Sequence, residues 1–389
     1  MHCIKKMSQA LAAVVAGVCS AAMLGVGYYC GKLPDTVMDD GSLPKFSTAV
    51  PVTAERSVPA GLNVKLLGSV PIKNIKEDTV KRPRLAAGGN AFGIKLVTDG
   101  VMIIDMKKLS GECPAAEAGL RVGDVIESVN GESVNSNAQL SDVIKGSGGN
   151  GCAVRYRRGD SVRETTVTPV LSEGSYRAGM WVRDSSAGIG TMTFIDPETG
   201  VFAGLGHSVC DADTHEPLPL SHGTISPVRI NDVKKGTAGE PGQLIGEFCG
   251  DDCGDLTLNC GEGVYGIADS IPENAPMYPM AFSHEVHTGA AYILTQTDDG
   301  EPRRFDITIE ELGGEHDLVI SAKDPELLRQ AGGIVQGMSG SPIIQDGRLA
   351  GAVTHVFIED PTGGYGIFAE RMYRHALAAQ PDEKPRKAG

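Results

Sequence analysis

The chain has 389 residues, a formal net charge of −14, 51 glycines and few aromatic side chains. Its length suffices for two or three domains, and its acidic balance argues against a nucleic-acid-binding protein, because phosphate binding needs a basic surface. The many glycines favour turns and short strands over long helices.

The N-terminal 31 residues differ from the rest of the chain. The stretch from Met7 to Gly31 contains no charged side chain and follows Lys5 and Lys6. A helix needs about 20 apolar residues to cross a bilayer, and basic residues favour the cytoplasmic side. We therefore predict a membrane anchor over 1–31, with a cleaved signal peptide as the alternative. Either way, the rest of the chain is expected outside the cytoplasm.

The next segment, 32–84, has scattered proline and polar residues and two short alternating runs, which predict a linker with a short strand pair. Four cysteines further along the chain lie near one another in sequence. Ordinary free thiols, a disulfide and a metal site are the alternatives, although the spacing is not that of paired C-x-x-C motifs. The four are Cys210, Cys249, Cys253 and Cys260.

Residues 85–171 carry a connected set of motifs. "AFGIKL" begins a strand, "PAAEAGLRVGDVIESVNGESV" combines helix, strand and Asn-Gly turn signals, and "SNAQLSDVIKG" has a capping box. This block resembles a PDZ domain. The resemblance implies a groove in which a peptide adds as a strand. Backbone amides of Phe92, Gly93 and Ile94 would receive the peptide, and the helix near Ala138–Ile144 would form the other wall.

Residues 172–389 alternate short apolar runs with turn signals, which is typical of a barrel or a sandwich. Within them, "GGIVQGMSGSP" places Ser339 between glycines. A nucleophilic serine needs a base, an acid that orients the base, and amide donors for the oxyanion. Gly337 permits a backbone that aims its own amide and that of Ser339 at one spot. A plain glycine-rich turn is the alternative.

His207, at the end of "VFAGLGH", is the candidate base. A histidine held at a strand end among small residues is both fixed and accessible. Its polar neighbours raise a metal site as an alternative, but their spacing matches no compact metal motif. We therefore predict no metal and no cofactor. The neighbours are Asp211, Asp213, His215 and His222.

The order of these motifs resembles that of trypsin-like double β-barrels, where the base comes from the first barrel and the nucleophile from the second. Two long segments, "RDSSAGIGTMTFIDPETGVFAGLGHSVCD" and "GGIVQGMSGSPIIQDGRLAGAVTHVFIEDPTGGYGIF", add a closer likeness. Together with the PDZ segment and the hydrophobic N terminus, they resemble the sporulation stage IV B peptidase family of endospore-forming bacteria. The resemblance implies that His207 is the general base and Ser339 the nucleophile.

The family pattern places the acid in a "D-P-x-L-L" element, which here is Asp324 in "AKDPELLRQ". Trypsin-like enzymes usually draw the acid from the first barrel, and Asp255 lies nearer that position. Asp324 is also suited to cap a helix, which would stabilise the fold by about 1 kcal/mol without any role in the chemistry. We predict Asp324 as the acid, with Asp255 and the helix cap as open alternatives.

The strand after the nucleophile hairpin, "AVTHVF", is expected to line the substrate pocket with Thr354 or His355. A buried His355 with satisfied hydrogen bonds and no role in binding is the alternative.

The sequence thus predicts a mainly β protein with an N-terminal transmembrane helix, a PDZ domain and a trypsin-like double β-barrel peptidase domain. The family resemblance implies a serine endopeptidase in the space between the forespore and mother-cell membranes. It would cleave itself within 32–60, and it would cleave a protein that regulates an intramembrane protease, which leads to activation of a late sigma factor. The PDZ domain is expected to recruit this substrate or a second copy of the chain.

Two rival functions stay open at this point. A non-catalytic PDZ-containing scaffold would bind peptides through both its PDZ domain and its barrel. A metallohydrolase centred on His207 would lose activity on chelation and would not depend on Ser339.

Overall fold

The computed structural model describes residues 20, 23–31, 33–44, 46, 50–57, 61–109, 111–314 and 316–379. Residues 23–31 are helical. Among the described residues, none of the helices has the length and apolar character needed to cross a membrane. Most of the predicted anchor over 1–31 lies outside the described residues.

The described part of the chain is mainly β. Besides the helical residues 23–31, its helices are α1 (Pro114–Glu117), α2 (Asn137–Gly146), a 3-10 turn (Ser283–Glu285), α3 (Pro325–Ala331) and α4 (Ala369–Ala378). Its strands are β1 (Thr36–Asp39), β2 (Val52–Arg56), β3 (Leu62–Leu66), β4 (Val70–Thr79), β5 (Arg84–Ala87), β6 (Ala91–Met106), β7 (Val125–Val129), β8 (Glu132–Ser133), β9 (Cys152–Arg158), β10 (Ser161–Val167), β11 (Val170–Ser172), β12 (Ser175–Arg177), β13 (Met180–Ile195), β14 (Val201–Gly204), β15 (Leu220–Lys234), β16 (Gln243–Phe248), β17 (Gly254–Cys260), β18 (Gly263–Ala268), β19 (Met277–Pro279), β20 (Gly289–Thr295), β21 (Arg303–Leu312), β22 (Leu318–Ala322), β23 (Pro342–Gln345), β24 (Arg348–Val356) and β25 (Gly363–Phe368).

Strands β1 to β4 form a separate four-stranded sheet in the order β1-β4-β3-β2, with β1 parallel to β4. Alternate residues of β3 point to one face, where Leu62 and Val64 are buried with Ile75. The strand pair predicted within 32–84 is therefore part of a larger sheet. Two strands alone bury too little apolar surface to be stable in water.

The first barrel consists of six strands in the order β6-β15-β17-β18-β14-β13, and the pairing of β13 with β6 closes the ring. Its interior is apolar and includes Phe92, Phe202, Ile225, Leu256 and Val264. Strands β6 and β13 are each 16 residues long, and β6 pairs with residues 180–191 of β13, with interruptions in the register. Both therefore extend beyond the barrel as a two-stranded ribbon.

The PDZ fold is inserted at the far end of this ribbon. Residues Val101 and Met102 of β6 pair with β7, and β9 and β10 continue the same sheet. Helix α2 buries Leu140 and Ile144 in the core of this unit. The amide of Gln139 donates to Ser136 Oγ at the helix start, which confirms the predicted helix and its cap.

The predicted peptide-receiving strand is wrong. Phe92, Gly93 and Ile94 belong to the first barrel and are paired on both edges, with β13 on one side and β15 on the other. Their amide and carbonyl groups are committed to neighbouring strands, so no edge is left for an added peptide. Helix α2 instead lies beside β12 and β13, and its Asn137 amide donates a 2.9 Å hydrogen bond to Asp184 Oδ2 on β13.

The second barrel is closed by β20-β21-β22-β25-β24-β23. Its core is rich in β-branched residues such as Ile293, Ile309, Ile320, Ile343 and Val353. Helix α4 packs Met372 and Ala376 onto the neighbouring core shared by both barrels. The predicted mainly β fold, with a PDZ fold and a double β-barrel, is confirmed.

Candidate active site

The Ser339 loop lies between α3 and β23, on the second barrel. Gly337 and Gly340 adopt φ values of +97° and +96°, which side chains rarely tolerate. A Cβ on Gly340 would lie 1.9 Å from the carbonyl oxygen of Thr191, so only glycine fits there. The glycines around the serine are thus required by the backbone path and by close contact with the first barrel.

The amides of Gly337 and Ser339 donate to no protein acceptor within the described residues, whereas the neighbouring amides do. Met338 donates to Val335 at 3.1 Å and Gly340 to Val353 at 2.7 Å. The free amides of Gly337 and Ser339 lie on either side of Met338 in a tight turn, and an oxyanion site needs such a pair of donors. The role predicted for these two amides, an oxyanion site, stays a prediction.

Strand β13 of the first barrel holds the Ser339 loop in place. The Thr191 amide donates to the Ser339 carbonyl at 2.8 Å, and the Thr191 hydroxyl donates to the Gly337 carbonyl at 2.7 Å. The Thr193 hydroxyl donates to the Gly340 carbonyl at 2.8 Å. Both threonines are buried. Sequence reasoning missed them, because two threonines in a strand give no signal of their long-range partners.

His207 follows β14 through a sharp turn. Leu205 and Gly206 have φ values of +64° and +71°, and the left-handed conformation costs a branched residue such as Leu205 of order 1 kcal/mol or more. The turn brings Gly206 against the second barrel, where an added Cβ would lie 2.9 Å from Thr354 Cγ2. The first barrel therefore places His207, the candidate base, at the interface between the two barrels.

Thr354 and His355 on β24 connect the two predicted catalytic residues. Ser339 Oγ donates a 2.5 Å hydrogen bond to the Thr354 carbonyl, and the His355 ring lies 4.6 Å from the His207 ring, centroid to centroid. His207 and Ser339 thus contact adjacent residues of one strand. In this structure the Ser339 hydroxyl donates its hydrogen bond to the Thr354 carbonyl, so it must rotate before it can donate to His207.

His207 Nδ1 lies 2.8 Å from the Ser208 carbonyl oxygen, which can only accept, so Nδ1 carries the proton and Nε2 offers a lone pair. Burial lowers the pKa of His207, and the hydrogen bond to Ser208 opposes this shift. Partial burial, followed by the charges of His207 and His316, lowers the pKa of His355 to about 4. Both rings are therefore neutral near pH 7, and a neutral imidazole is what a general base requires.

The structure places neither acid candidate against His207. Asp324 is the N-cap of α3, where its Oδ1 accepts from the amides of Glu326 at 2.8 Å and Leu327 at 3.2 Å. The helix-cap alternative is confirmed, and the assignment of Asp324 as the triad acid stays a prediction. Asp255 is exposed on β17. Within the described residues, no carboxylate forms an ion pair with His207.

A cavity of about 220 Å³ lies beside His207 at the barrel interface. Sequence reasoning anticipated Thr354 and His355 in a pocket but missed the charged residues, which come from three separate segments. Arg371 on α4 bridges two of them, with nitrogen–oxygen distances of 2.9 Å to Asp317 and 3.0 Å to Glu262. The cavity is lined by Gly206, Gly261, Glu262, His316, Asp317, Thr354, His355, Gly366, Ile367 and Arg371.

The polar neighbours of His207 do not assemble as metal ligands among the residues described. Asp211 and Asp213 instead pair with Arg183, at 2.8 Å and 2.6 Å. Ligand-type atoms gather at Cys260, Glu262 and His375, all within 4.8 Å of one another. Glu262 there already pairs with Arg371, which disfavours a cation. Cys210, Cys249, Cys253 and Cys260 are free thiols, so the disulfide alternative is not realised.

Comparison with known proteins gives two family matches. Residues 174–373, just over half of the chain, match the SpoIVB peptidase S55 family, and residues 110–158 match the PDZ domain.

Similar solved structures include a PDZ domain of the SdrC-like protein from Listeria monocytogenes, with 24% identity over 22% of this chain and 87% of that chain and a TM-score of 0.19. The active form of the Rv3671c protease from M. tuberculosis shares 18% identity over 51% of this chain and 77% of that chain, with a TM-score of 0.31. The HtrA-type protease AlgW with a decapeptide shares 12% identity over 51% of this chain and 54% of that chain, also with a TM-score of 0.31. The S55 match, by its extent, establishes that the chain belongs to the SpoIVB peptidase S55 family and is a serine peptidase that carries a PDZ domain.

Proposed function

We propose that this chain is a serine endopeptidase in which Ser339 is the nucleophile and His207 the general base. The observation that carries the proposal is the Ser339 loop, where the amides of Gly337 and Ser339 are free. The serine hydroxyl contacts Thr354, and the next residue, His355, contacts the neutral ring of His207. A plain surface turn would not need the hydrogen bonds by which Thr191 and Thr193 of the first barrel hold the Ser339 loop of the second.

The reaction follows from these groups. Ser339 Oγ rotates away from Thr354, transfers its proton to His207 Nε2 and attacks the scissile carbonyl carbon. The oxyanion accepts hydrogen bonds from the amides of Gly337 and Ser339. His207 then gives the proton to the leaving amine as the peptide bond breaks. A water molecule, deprotonated by His207, hydrolyses the acyl-enzyme and restores the Ser339 hydroxyl.

The biological setting is proposed from the family. The chain would cleave itself between residues 32 and 60 and would cleave a protein regulator of an intramembrane protease, in the sporulation cascade that activates a late sigma factor. The uncharged stretch from Met7 to Gly31, preceded by Lys5 and Lys6, supports a membrane tether with the barrels outside the cytoplasm. The PDZ fold would recruit the regulator or a second copy of the chain.

Purified full-length wild type and Ser339→Ala test the proposal directly. Wild type is expected to convert to a shorter form on incubation, with a new N terminus within residues 32–60, and to bind a fluorescent fluorophosphonate covalently. Ser339→Ala is expected to do neither, yet to be trimmed when wild type is added, because its cleavage site is intact.

Ser341→Ala is the matched control, since Ser341 lies in the same motif but is fully buried. It should keep fluorophosphonate labelling. Equal behaviour of wild type and Ser339→Ala would overturn the peptidase mechanism and favour the scaffold. Loss of cleavage on chelation, with Ser339→Ala still active, would favour the metallohydrolase.

A further inference from the structure

Strand β13 has a neighbouring strand on only one side over most of its length. Residues 180–191 pair with β6, while β14 and β5 reach only residues 192–195. Within the described part of the chain, no other backbone group forms a hydrogen bond with the backbone of residues 181–190. Strand β13 therefore has an open edge, which begins next to Thr191 and continues into the PDZ fold.

The Thr191 amide shows which backbone groups lie on this open edge. It donates to the Ser339 carbonyl, and the backbone groups of alternate residues in a strand point to the same side. The amides and carbonyls of Ile189 and Ala187 therefore face the open edge, while the residues between them bond to β6. A strand added here would bond to Ile189 and Ala187, and it would end at the Ser339 loop.

The open edge lacks the usual protection against strand addition. Exposed edges are normally interrupted by charged residues or by proline. From Ser185 to Gly190 the sequence "SSAGIG" contains neither, whereas the outer strand β10 contains an arginine and a glutamate. Ala187 and Gly188 are exposed, and a Cβ on Gly188 would meet no atom within 4 Å. The edge therefore has room for the side chains of an added strand.

The other end of the open edge meets the PDZ fold. Asp184 Oδ2 accepts a 2.9 Å hydrogen bond from the Asn137 amide at the start of α2. Six residue steps separate Thr191 from Ser185, which amounts to about 20 Å in an extended strand. The Ser339 loop and the PDZ helix thus lie at the two ends of a single open edge.

The chemistry of peptide cleavage decides which part of a substrate fits this edge. The acyl part becomes bonded to Ser339, whose loop belongs to the second barrel. The leaving amine takes its proton from His207 and so lies towards the first barrel, to which β13 belongs. The residues that follow the scissile bond would therefore run from the Ser339 loop towards α2, antiparallel to β13.

We propose that the open edge of β13 binds the residues that follow the scissile bond, so that one extended peptide spans the catalytic centre and the PDZ fold. About six of these residues would add to the edge as a strand, and the next ones would lie between β13 and α2. The PDZ fold would thus select substrates by a segment at a fixed distance after the cleavage site. The inference rests on the proposed roles of His207 and Ser339.

A series of synthetic peptides tests the inference on the wild type. Their sequence is copied from the main junction that the wild type cuts in fluorescein-labelled casein or in Ser339→Ala. They carry two, four, six or eight residues after the scissile bond. We expect kcat/KM to rise at least tenfold from two to six residues, chiefly through KM, because each added residue pair gains hydrogen bonds to the edge. No gain with length would overturn the inference.

N-methylation of the six-residue peptide shows whether the gain comes from strand pairing. Only alternate residues of an added strand direct their amides towards β13. Methyl groups on one alternate set of amides should therefore remove the gain, and methyl groups on the other set should leave it. An equal loss at every position contradicts strand addition. This measurement does not depend on how any variant folds.

Ala187→Pro and Ala187→Ser show whether the peptide uses β13. Proline removes the outward amide, and it is tolerated where the N–H of an edge strand faces solvent, so the pairing with β6 is kept. The advantage of the six-residue over the two-residue peptide should fall about tenfold in Ala187→Pro. Ala187→Ser keeps the amide and should recover this advantage. An undiminished advantage in Ala187→Pro would place the peptide elsewhere and overturn the inference.

A second copy of the chain is the other strand that this edge could accept. If Ala187→Pro converts a dimer into a monomer in analytical ultracentrifugation and leaves the peptide advantage unchanged, the edge joins two copies and the inference is wrong. If the wild type neither reacts with the fluorophosphonate nor cuts a protein substrate, the proposed function fails instead. The two failures are therefore distinguishable.

Discussion

The hydroxyl of Thr191 donates a 2.7 Å hydrogen bond to the carbonyl oxygen of Gly337, across the boundary between the two barrels. The amide of the same threonine donates to the carbonyl of Ser339. One buried residue of the first barrel thus fixes two peptide groups of the loop, Gly337–Met338 and Ser339–Gly340. The orientation of the Ser339 loop therefore depends on β13, the strand that follows the PDZ fold in the chain.

Thr191→Val tests this dependence. Valine keeps the shape of threonine and the backbone amide but loses the hydroxyl bond to Gly337, a loss of about 1 kcal/mol. We expect kcat on casein to fall roughly five- to tenfold with KM little changed, because substrate binding does not use this bond. Thr191→Ser should restore most of the activity. A KM effect alone, or no recovery with serine, would contradict this role.

Gly340→Ala should destabilise the protein by about 3 kcal/mol or more, because it combines a strained φ with overpacking against the Thr191 carbonyl. Gly347→Ala is the matched control, since Gly347 also has a positive φ but open space around it. It should cost only about 1 kcal/mol. Denaturant unfolding monitored by circular dichroism measures both, and equal losses would show that the contact with Thr191 contributes nothing.

The acid limb of kcat/KM should lie below the ordinary histidine pKa of about 6.5, because burial lowers the pKa of His207 and a base must be unprotonated to act. His355→Asn should move this limb to higher pH, since removal of the neighbouring ring lets water reach His207. His222→Asn, at an exposed position on β15, should leave the limb unchanged. If the limb does not move in His355→Asn, the His355 ring has no effect on the pKa of His207.

The same shifts predict how stability depends on pH. His207 and His355 have lower pKa values in the folded state than in the unfolded chain, so the unfolded chain binds more protons as the pH falls below about 6.5. Their contribution to the free energy of unfolding is therefore complete above that pH and declines from about 6.5 towards 4. His355→Asn should flatten this decline in urea titrations made at successive pH values.

Features set by local backbone chemistry were predictable from the sequence. Asn130 and Gly131 both adopt positive φ, as do Asp346 and Gly347, so two turns lie where these dipeptides predicted them. The Ser136 cap of α2 is likewise local. The residues of such signals are adjacent in the chain, and their conformational preferences need no distant partner.

Features that depend on strand partners were not predictable in this way. "AFGIKL" has the pattern of a strand in a PDZ fold and in a barrel alike, and only the pairing with β13 and β15 decides between them. Asp324 shows the same ambiguity, since "DPELL" suits a cap and a catalytic acid equally.

The placement of the PDZ fold between β6 and β13 has a consequence for biogenesis. During synthesis, β6 emerges first and must wait for the whole PDZ fold before its partner β13 appears. A fragment that starts at residue 172 contains the S55 match but lacks β6, one of the strands that close the first barrel. Proteolytic cleavage within the PDZ fold would leave β6 and β13 on separate pieces of chain, so the first barrel would then be closed by strand pairing alone.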